Sequence, residues 1–199
     1  MKCLKPQVGP QTDFLASSAD ICIFGGSAGG GKTFALLLEP LRYKNVVGFN
    51  GVIFRRNYTQ VTAPGGLWET SKQMYTGIRG AASWRSPKRH WNFAGRSTLA
   101  FDYIASDDGV YSWQGSQICF LGFDELTHFS EFIFFYMLSR NRSTCGVKPY
   151  VRATCNPDAD SWVKNFISWW IDAETGLAIP ERSGVQRVFY RTDDGGIVW

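Results

Sequence analysis

The sequence predicts an α/β fold with a mainly parallel central sheet flanked by helices. Three observations carry this prediction. Short apolar runs alternate with amphipathic segments, a glycine-rich turn follows the first apolar run, and two adjacent carboxylates follow a later one. Strands that alternate with helices form parallel sheets covered on both faces. With 199 residues, 44% of them hydrophobic and 19% charged, the chain is expected to form one domain, residues 1–199.

Each predicted element follows from a local pattern. Two prolines and a glycine predict an irregular N-terminal segment over residues 1–20, with a short helix at 12–17. Apolar runs predict buried strands, and polar–apolar alternation predicts a hairpin at 90–103. The predicted strands are 21–24, 52–54, 118–123, 150–155 and a fifth at 186–191. The predicted helices are 32–43, kinked or stopped by Pro40, and 67–75, 131–140 and 162–171.

Composition narrows the function classes. The net charge of +4 and the pI of about 8.8 give a mild bias toward anionic partners, which permits nucleic acid. The five cysteines are an odd set without a CxxC pair, which argues against zinc and against a disulfide framework. No apolar run approaches the ~20 residues that a membrane helix needs, so no membrane partner is predicted.

The glycine-rich turn fits the phosphate-binding pattern G-x-x-x-x-G-K-[ST] at Gly26, Gly31, Lys32 and Thr33. The pattern follows a predicted strand and opens a predicted helix, which is the context that supports it. Lys32 is expected to reach the β- and γ-phosphates, and the Thr33 hydroxyl to ligate Mg²⁺. The backbone of the loop is expected to bind the phosphates of ATP through Gly26, Ser27, Ala28, Gly29, Gly30 and Gly31.

A second motif places Asp124 and Glu125 directly after an apolar strand. Ligands of α/β proteins bind at the carboxyl ends of parallel strands. We expect Asp124 to hold Mg²⁺, mostly through water, and Glu125 to orient and deprotonate the attacking water. The fold is therefore expected to be a P-loop NTPase of the additional-strand, catalytic-glutamate type that hydrolyses ATP.

A third motif, Thr154 to Pro157, follows another predicted strand. A polar side chain at that strand end is positioned to contact both the γ-phosphate region and the loop beyond. Thr154 and Asn156 are therefore expected to couple hydrolysis to loop movement. A plain Asn-Pro turn is the alternative for this segment.

Together these motifs resemble the ATPase domain of tailed-bacteriophage terminase large subunits, the DNA-packaging motors. Phosphate-binding loops occur in very many families, so the added Gly-Gly-Leu-Trp and Thr-x-Asn-Pro segments carry the resemblance. The matching residues run through nearly the whole chain, at 6–11, 25–33, 52–58, 64–68, 124–125, 139–142 and 154–158.

The resemblance implies ATP hydrolysis that powers translocation of double-stranded DNA into a procapsid. It also implies a homo-oligomeric ring on a portal protein, a small terminase subunit as partner, and action in the host cytoplasm rather than as a stable virion component. The isolated domain is expected to be monomeric. Gln7 or Gln11 is expected to contact the adenine.

The resemblance further implies an arginine that reaches the nucleotide of a neighbouring subunit. Some relatives place this arginine shortly before the acidic strand, where this sequence has Gln114. Arg140 and Arg142 are therefore the preferred catalytic arginines, with Arg55, Arg56 and Arg96 as further candidates. An arginine suits this role because it stabilises charge on the transferring phosphoryl group.

Two other functions stay open at the level of sequence. One is a helicase or recombinase-type DNA-dependent ATPase, and the other is a non-motor nucleotide-binding switch protein. The family's C-terminal nuclease domain needs carboxylates clustered on a further sheet, whereas Asp193 and Asp194 before Gly195 predict a turn. We therefore expect no nuclease activity in this chain.

Overall fold

A computed structural model gives the structure of the protein and describes residues 4–85 and 88–199; the first three residues of the N-terminal segment lie outside it. Seven strands form the central sheet: β1 Ile21–Gly25, β2 Asn50–Arg55, β3 Ala81–Trp84, β4 Arg89–Phe93, β5 Ser97–Tyr103, β6 Phe120–Phe123 and β7 Tyr150–Cys155. Their order across the sheet is β1-β7-β6-β2-β5-β4-β3. The first five strands in this order are parallel, and β4 runs antiparallel to both β5 and β3. The predicted mainly parallel sheet is confirmed.

The strand order also confirms the additional-strand arrangement, because β7 lies between β1 and β6. Gly25, the last residue of β1, pairs with Cys155 at the end of β7. Phe123, the last residue of β6, pairs with Phe54 of β2 and with Ala153 of β7. The carboxyl ends of four parallel strands therefore meet at one edge of the sheet.

Helices cover both faces of the sheet, as predicted. They are α1 Pro10–Ala16, α2 Lys32–Leu38, α3 Tyr58–Thr62, α4 Leu67–Tyr75, α5 Glu131–Leu138 and α6 Trp162–Phe166. Successive residues of β2 belong to different hydrophobic cores: Phe54 lies in the same core as Phe134 of α5, whereas Ile53 lies in the same core as Leu36 of α2. All four side chains are fully buried, so β2 is anchored from both sides.

Three helix predictions are confirmed with shorter bounds, and the helix predicted at 131–140 ends at Leu138. The helix predicted at 32–43 ends at Leu38 and continues as a 3-10 helix over Glu39–Tyr43, which contains Pro40. Proline has no N–H to donate and its ring clashes with the preceding turn, which explains the early stop. The helix predicted at 162–171 is α6 followed by a 3-10 helix at Ser168–Trp170.

The strand predicted at 186–191 is wrong as a member of the sheet. Only Tyr190–Arg191 is extended (β8), and it pairs antiparallel with β9, Ile197–Val198, in a separate two-stranded ribbon. The fifth parallel strand is instead β5, the second strand of the predicted hairpin, which pairs with β2. The turn predicted at Asp193 and Asp194 is confirmed, since it connects β8 to β9.

One strand of the central sheet was not predicted from the sequence. β3 has three exposed residues and one half-buried one, so it carries no alternating apolar pattern. Within the described part of the chain, no helix combines the length and apolar character that crossing a membrane requires.

Candidate functional site

The sequence motifs converge at the carboxyl edge of the parallel strands. A cavity of about 340 Å³ opens there and brings together predicted site residues from three separate chain segments. Its lining residues are Ala28, Gly29, Gly30, Gly31, Lys32, Thr33, Phe34, Asp124, Glu125, Thr154 and Asn156. The loop after β1, the end of β6 and the end of β7 thus build one site.

Left-handed backbone shapes the glycine-rich loop. Gly29 has φ 82° and Gly31 has φ 69°, values that only glycine adopts without strain. Gly31 caps the N-terminus of α2, and a Cβ atom there would lie 2.2 Å from Nε2 of Gln11. The Gly26 amide donates to the carbonyl of Cys155 at 3.2 Å. The loop is therefore fixed to β7 on one side and to α1 on the other.

Lys32 is buried, with 9% of its surface exposed. Its ammonium donates three hydrogen bonds: to the carbonyls of Gly26 at 2.8 Å and Ser27 at 2.6 Å, and to Oδ1 of Asn156 at 2.9 Å. Burial raises the pKa of the neighbouring Cys155 thiol, and the charge of Lys32 partly opposes this. Lys32 thus places a fixed positive charge where the loop meets β7.

Asp124 is almost fully enclosed, with 1% exposure. The Thr33 hydroxyl lies 3.1 and 3.2 Å from its two carboxylate oxygens, and the Thr154 hydroxyl donates to Oδ1 at 2.6 Å. Arg55 donates to Oδ2 through Nε at 2.7 Å and Nη2 at 2.5 Å. The carboxylate is therefore oriented from β2, from β7 and from the end of the phosphate-binding motif.

Mg²⁺ prefers oxygen ligands and usually retains several waters. The Thr33 hydroxyl and the Asp124 carboxylate supply only oxygen ligands, and these oxygens lie close to one another. These two residues fit a Mg²⁺ ion, and they are the two that the sequence predicted for it.

Glu125 has an unusual backbone, with φ 63° and ψ 61°. A non-glycine residue in the left-handed region is uncommon and is concentrated at functional sites. Its amide donates to the Thr154 hydroxyl at 3.2 Å. Its carboxylate oxygen Oε2 lies 2.9 Å from Nη1 of Arg55 and 3.1 Å from Nδ1 of His128. The carboxylate is one-quarter exposed and lines the cavity, so it is accessible to a water molecule.

The two glutamines differ in position. Gln11 is buried at 3% exposure, and its Nε2 donates to the Gly31 carbonyl at 3.2 Å. Its Oε1 accepts from the backbone amide of Gln7, whose side chain is exposed. Gln11 therefore supports the phosphate loop from behind, and neither glutamine lines the cavity. Adenine contact by Gln7 or Gln11 stays a prediction.

Arg140 and Arg142 lie far from the cavity of their own chain. Their backbones bond with Ile118, which precedes β6, whereas Asp124 follows β6. At about 3.3 Å per extended residue, these arginines are roughly 20 Å away, near the opposite edge of the sheet. Arg140 packs on the ring of Tyr136, and Arg142 donates to the Ser139 carbonyl. Action in a neighbouring subunit stays a prediction.

Two site residues were undervalued by sequence reasoning. Arg55 was a lesser candidate for action in a neighbouring subunit, yet it binds both carboxylates of its own chain. His128 contacts Glu125, although no sequence motif indicated a place for it in the site. The signal for Arg55 was its place directly after a buried strand, at the edge where the site forms.

A family model described as the N-terminal part of the terminase large subunit, T4likevirus type, matches residues 23–194. The chain belongs to the terminase large-subunit family. The match spans most of the chain and includes the phosphate loop from Gly26, the acidic pair and the Thr154–Asn156 segment. No curated protein sequence matches the chain.

Solved terminases confirm the fold. The large terminase of a thermophilic bacteriophage is 17% identical with a TM-score of 0.58, over 77% of this chain and 40% of that one. The same large terminase in complex with ATP-gamma-S is 20% identical with a TM-score of 0.55, over 76% and 38%. The large-terminase ATPase domain of Thermus phage P74-26 is 17% identical with a TM-score of 0.54, over 91% and 76%. This terminase chain thus spans about 40% of the length of the first of these large terminases.

Proposed function

We propose that this terminase chain binds ATP with Mg²⁺ at the described cavity and hydrolyses it to drive double-stranded DNA into a procapsid. The observation that carries the proposal is the meeting of Lys32, Thr33, Asp124 and Glu125 around one cavity of suitable size. The large terminase of the thermophilic bacteriophage, which shares the fold, was solved with ATP-gamma-S, which supports nucleotide as the ligand of this site.

Binding would begin at the phosphate loop. Backbone amides of residues 26–31 suit phosphate oxygens because no side chain blocks their approach. Lys32 would exchange its bonds to the Gly26 and Ser27 carbonyls for bonds to the β- and γ-phosphates. Thr33 and Asp124 would hold Mg²⁺, which supplies charge neutralisation on the phosphates when bound.

Hydrolysis would use Glu125 as the general base. Its carboxylate accepts the proton of the attacking water as the water oxygen bonds to the γ-phosphorus. The bond from that phosphorus to the bridging oxygen then breaks, which leaves ADP and inorganic phosphate. A carboxylate directly after the metal-binding aspartate favours water as the acceptor over another substrate.

Coupling would pass through the end of β7. Thr154 contacts Asp124 and Glu125, while Asn156 contacts Lys32. A change at the γ-phosphate would therefore alter contacts of a strand end that continues into the segment after Pro157. Four parts of the proposal rest on the family alone. They are the movement of DNA, a ring of copies on a portal protein, a small terminase subunit as partner, and an arginine supplied by a neighbouring subunit.

The proposal is tested by the ATPase rate of the protein against its concentration, with and without double-stranded DNA. We expect specific activity to rise with protein concentration and with DNA, because neighbouring copies of the chain and the bound DNA complete the site. We also expect Glu125→Gln to bind ATP with wild-type affinity and to lose turnover by roughly 100-fold or more, as for other general bases. Normal turnover by Glu125→Gln would contradict the assignment of the base.

A further inference from the structure

Two cysteines lie side by side at the edge of the sheet opposite the phosphate loop. Cys119 directly precedes β6 and is 1% exposed, whereas Cys145 is half-buried on the segment between α5 and β7. Both are free thiols, and their sulfur atoms lie 4.0 Å apart although the residues are 26 positions apart in sequence. The S–S bond of a disulfide is about 2.05 Å long, so an approach of about 2 Å would join them.

The backbones that carry the two sulfurs differ in their freedom to move. The amide of Cys119 donates to Oδ1 of Asn50 at 2.9 Å, and its carbonyl accepts from the amide of Tyr150 at 3.0 Å. Cys145 lies within residues 143–149, which belong to no helix or strand and alternate between half-buried and exposed positions. The approach is therefore expected from the side of Cys145, while Cys119 stays fixed in the sheet.

The two thiols also differ in acidity. Burial raises the pKa of the Cys145 thiol, but hydrogen bonds of its sulfur with the Ser143 hydroxyl, the Val147 backbone and Cys119 outweigh this and hold the pKa below its usual range. The Ser143 hydroxyl lies 3.3 Å from this sulfur. Burial raises the pKa of Cys119 to about 11. Because the thiolate is the reactive form, the accessible sulfur is the nucleophile and the buried one stays protonated beside it.

We propose that Cys145 and Cys119 are a site of reversible thiol oxidation, at which a peroxide converts the two thiols into a disulfide. The Cys145 thiolate bonds to one oxygen of hydrogen peroxide, the O–O bond breaks, and the other oxygen leaves as hydroxide and takes up a proton. Cys119 then loses its proton and bonds to the sulfur of the Cys145 sulfenic acid, and the S–O bond breaks to release a second water. Two electrons pass from the thiols to one peroxide, and a small thiol reverses the bond by exchange.

The disulfide would connect the start of β6 to the segment that leads from α5 to β7. That segment includes Arg142, whose amide donates to the carbonyl of Ile118 at 3.0 Å. Asp124 follows the other end of β6, about 16 Å from Cys119 at 3.3 Å per extended residue. The bond would therefore restrain the segment around Arg142 without contacting the nucleotide site. In a reducing cytoplasm the pair stays as two thiols, so the restraint forms only under oxidising conditions.

The proposal is tested by treating the folded wild-type protein with hydrogen peroxide, blocking the remaining thiols and mapping the tryptic peptides by mass spectrometry. Trypsin leaves Cys119 in the peptide 97–140 and Cys145 in the peptide 143–152. We expect a cross-linked species of these two peptides that is lighter than their sum by two hydrogen atoms and disappears on reduction with dithiothreitol. Sulfinic acid at Cys145 with Cys119 still reduced would overturn the proposal.

The reactivity of the untreated thiols provides a test that needs no variant. With limiting iodoacetamide at about pH 8, Cys145 should be alkylated roughly tenfold faster than Cys22. Cys22 is the matched reference, because it is also a half-buried free thiol but burial raises its pKa. Equal rates, or a faster reaction at Cys22, would contradict Cys145 as the attacking thiol.

Variants and stability complete the test. Cys145→Ser and Cys119→Ala each remove one partner and should abolish the cross-link, with circular dichroism to show that each variant is folded. Oxidation of the wild type should raise the midpoint of thermal unfolding by about 5 °C, because the bond restricts the unfolded chain. A lower midpoint after oxidation would show that the two sulfurs are not placed for a disulfide. The peptide map does not depend on ATP, so failure of the proposed function leaves its result unchanged.

Discussion

The side-chain amide oxygen of Asn156 accepts a hydrogen bond from the Lys32 ammonium at 2.9 Å, across 124 positions of sequence. Lys32 also donates to carbonyls of its own loop. Among the residues that the structure describes, Asn156 is the one partner of this ammonium outside the loop. It follows a different strand, β7. The phosphate-binding lysine and the segment after β7 are therefore in direct contact. A ligand that binds the Lys32 ammonium consequently affects the phosphate loop and this segment together.

We predict that Asn156→Asp weakens ATP binding. A carboxylate at this position forms an ion pair with the Lys32 ammonium, which then has to be given up when phosphate binds. Hydrogen bonds to charged groups contribute about 1.5–3 kcal/mol, so the dissociation constant should rise about 10- to 100-fold. Titration with a fluorescent ATP analogue measures the effect.

The matched control is Asn156→Ala, which removes the bond without adding charge. It should leave ATP affinity within a few-fold while lowering the stimulation of turnover by DNA. Equal affinities for Asn156→Asp and the wild type would show that this contact does not compete with phosphate.

The Thr154 hydroxyl provides a second test of the strand end. It donates to Asp124 and accepts from the Glu125 amide, and it is buried. Thr154→Val keeps the shape and removes both bonds, which leaves buried polar groups unpaired at a cost of about 1–3 kcal/mol. We expect the free energy of unfolding, measured with urea, to fall by this amount, and we expect kcat to fall as well.

Thr154→Ser retains the hydroxyl and is the control for Thr154→Val. Its kcat should stay near that of the wild type, with only the loss of a methyl group to affect stability. If valine and serine behave alike in turnover, the hydroxyl does not orient the acidic pair.

The contact between Gly31 and Gln11 predicts unequal effects of two glycine substitutions. Gly29→Ala meets open space at φ 82°, whereas Gly31→Ala at φ 69° places its Cβ 2.2 Å from Nε2 of Gln11. Gly29→Ala should cost only the strain of left-handed backbone, about 1–2 kcal/mol. Gly31→Ala should cost more and weaken ATP binding, as measured by urea unfolding and nucleotide titration.

A double variant isolates the cause. Gln11→Ala removes the side chain that a Gly31 methyl would strike, so Gly31→Ala should be milder in that background. Additive free energies in this double-mutant cycle would contradict a direct clash.

Buried Glu39 predicts a pH-dependent stability. It is 2% exposed and lies 3.3 Å from Arg42. Burial raises the pKa of Glu39 above its usual 4.5, and the charges of Arg42 and Arg152 oppose this less strongly. The folded state therefore binds the proton more tightly than the unfolded chain, so this contribution to stability is full below pH 4.5 and is lost as pH rises through the raised pKa.

Glu39→Gln abolishes this loss, because a glutamine has no proton to release. Its free energy of unfolding relative to the wild type should increase between about pH 4 and pH 8. Glu69→Gln is the control, since it makes the same substitution at a carboxylate that is partly exposed. If the unfolding free energies of Glu39→Gln and the wild type change with pH in parallel, the raised pKa of Glu39 is contradicted.

Much of the site could be predicted because its parts are local in sequence. Glycines at Gly29 and Gly31 supply torsions that other residues avoid, and an apolar run before Asp124 delivers it to a strand end. The carboxyl ends of adjacent parallel strands share one edge, so the three motifs were expected to meet there. The family match over residues 23–194 agrees with the resemblance that the motifs indicated.

The missed features depend on pairing between distant segments. Tyr190 and Arg191 look like a strand, yet the place beside β2 is filled by β5, so the C-terminal residues form only a two-stranded ribbon. Arg140 and Arg142 follow the acidic strand in sequence, but α5 returns the chain to the opposite edge. No local pattern records either outcome.

The sequence by itself determined the phosphate loop, the acidic pair, the Thr154–Asn156 segment and the family, because each depends on residue types at fixed short spacing. Only the tertiary structure decided that β2 lies beside β6 and that Arg55 therefore reaches Asp124 and Glu125. Strand order is set by burial and pairing across the whole chain. The neighbours of a charged side chain at a strand end consequently follow from the sheet and not from the adjacent residues.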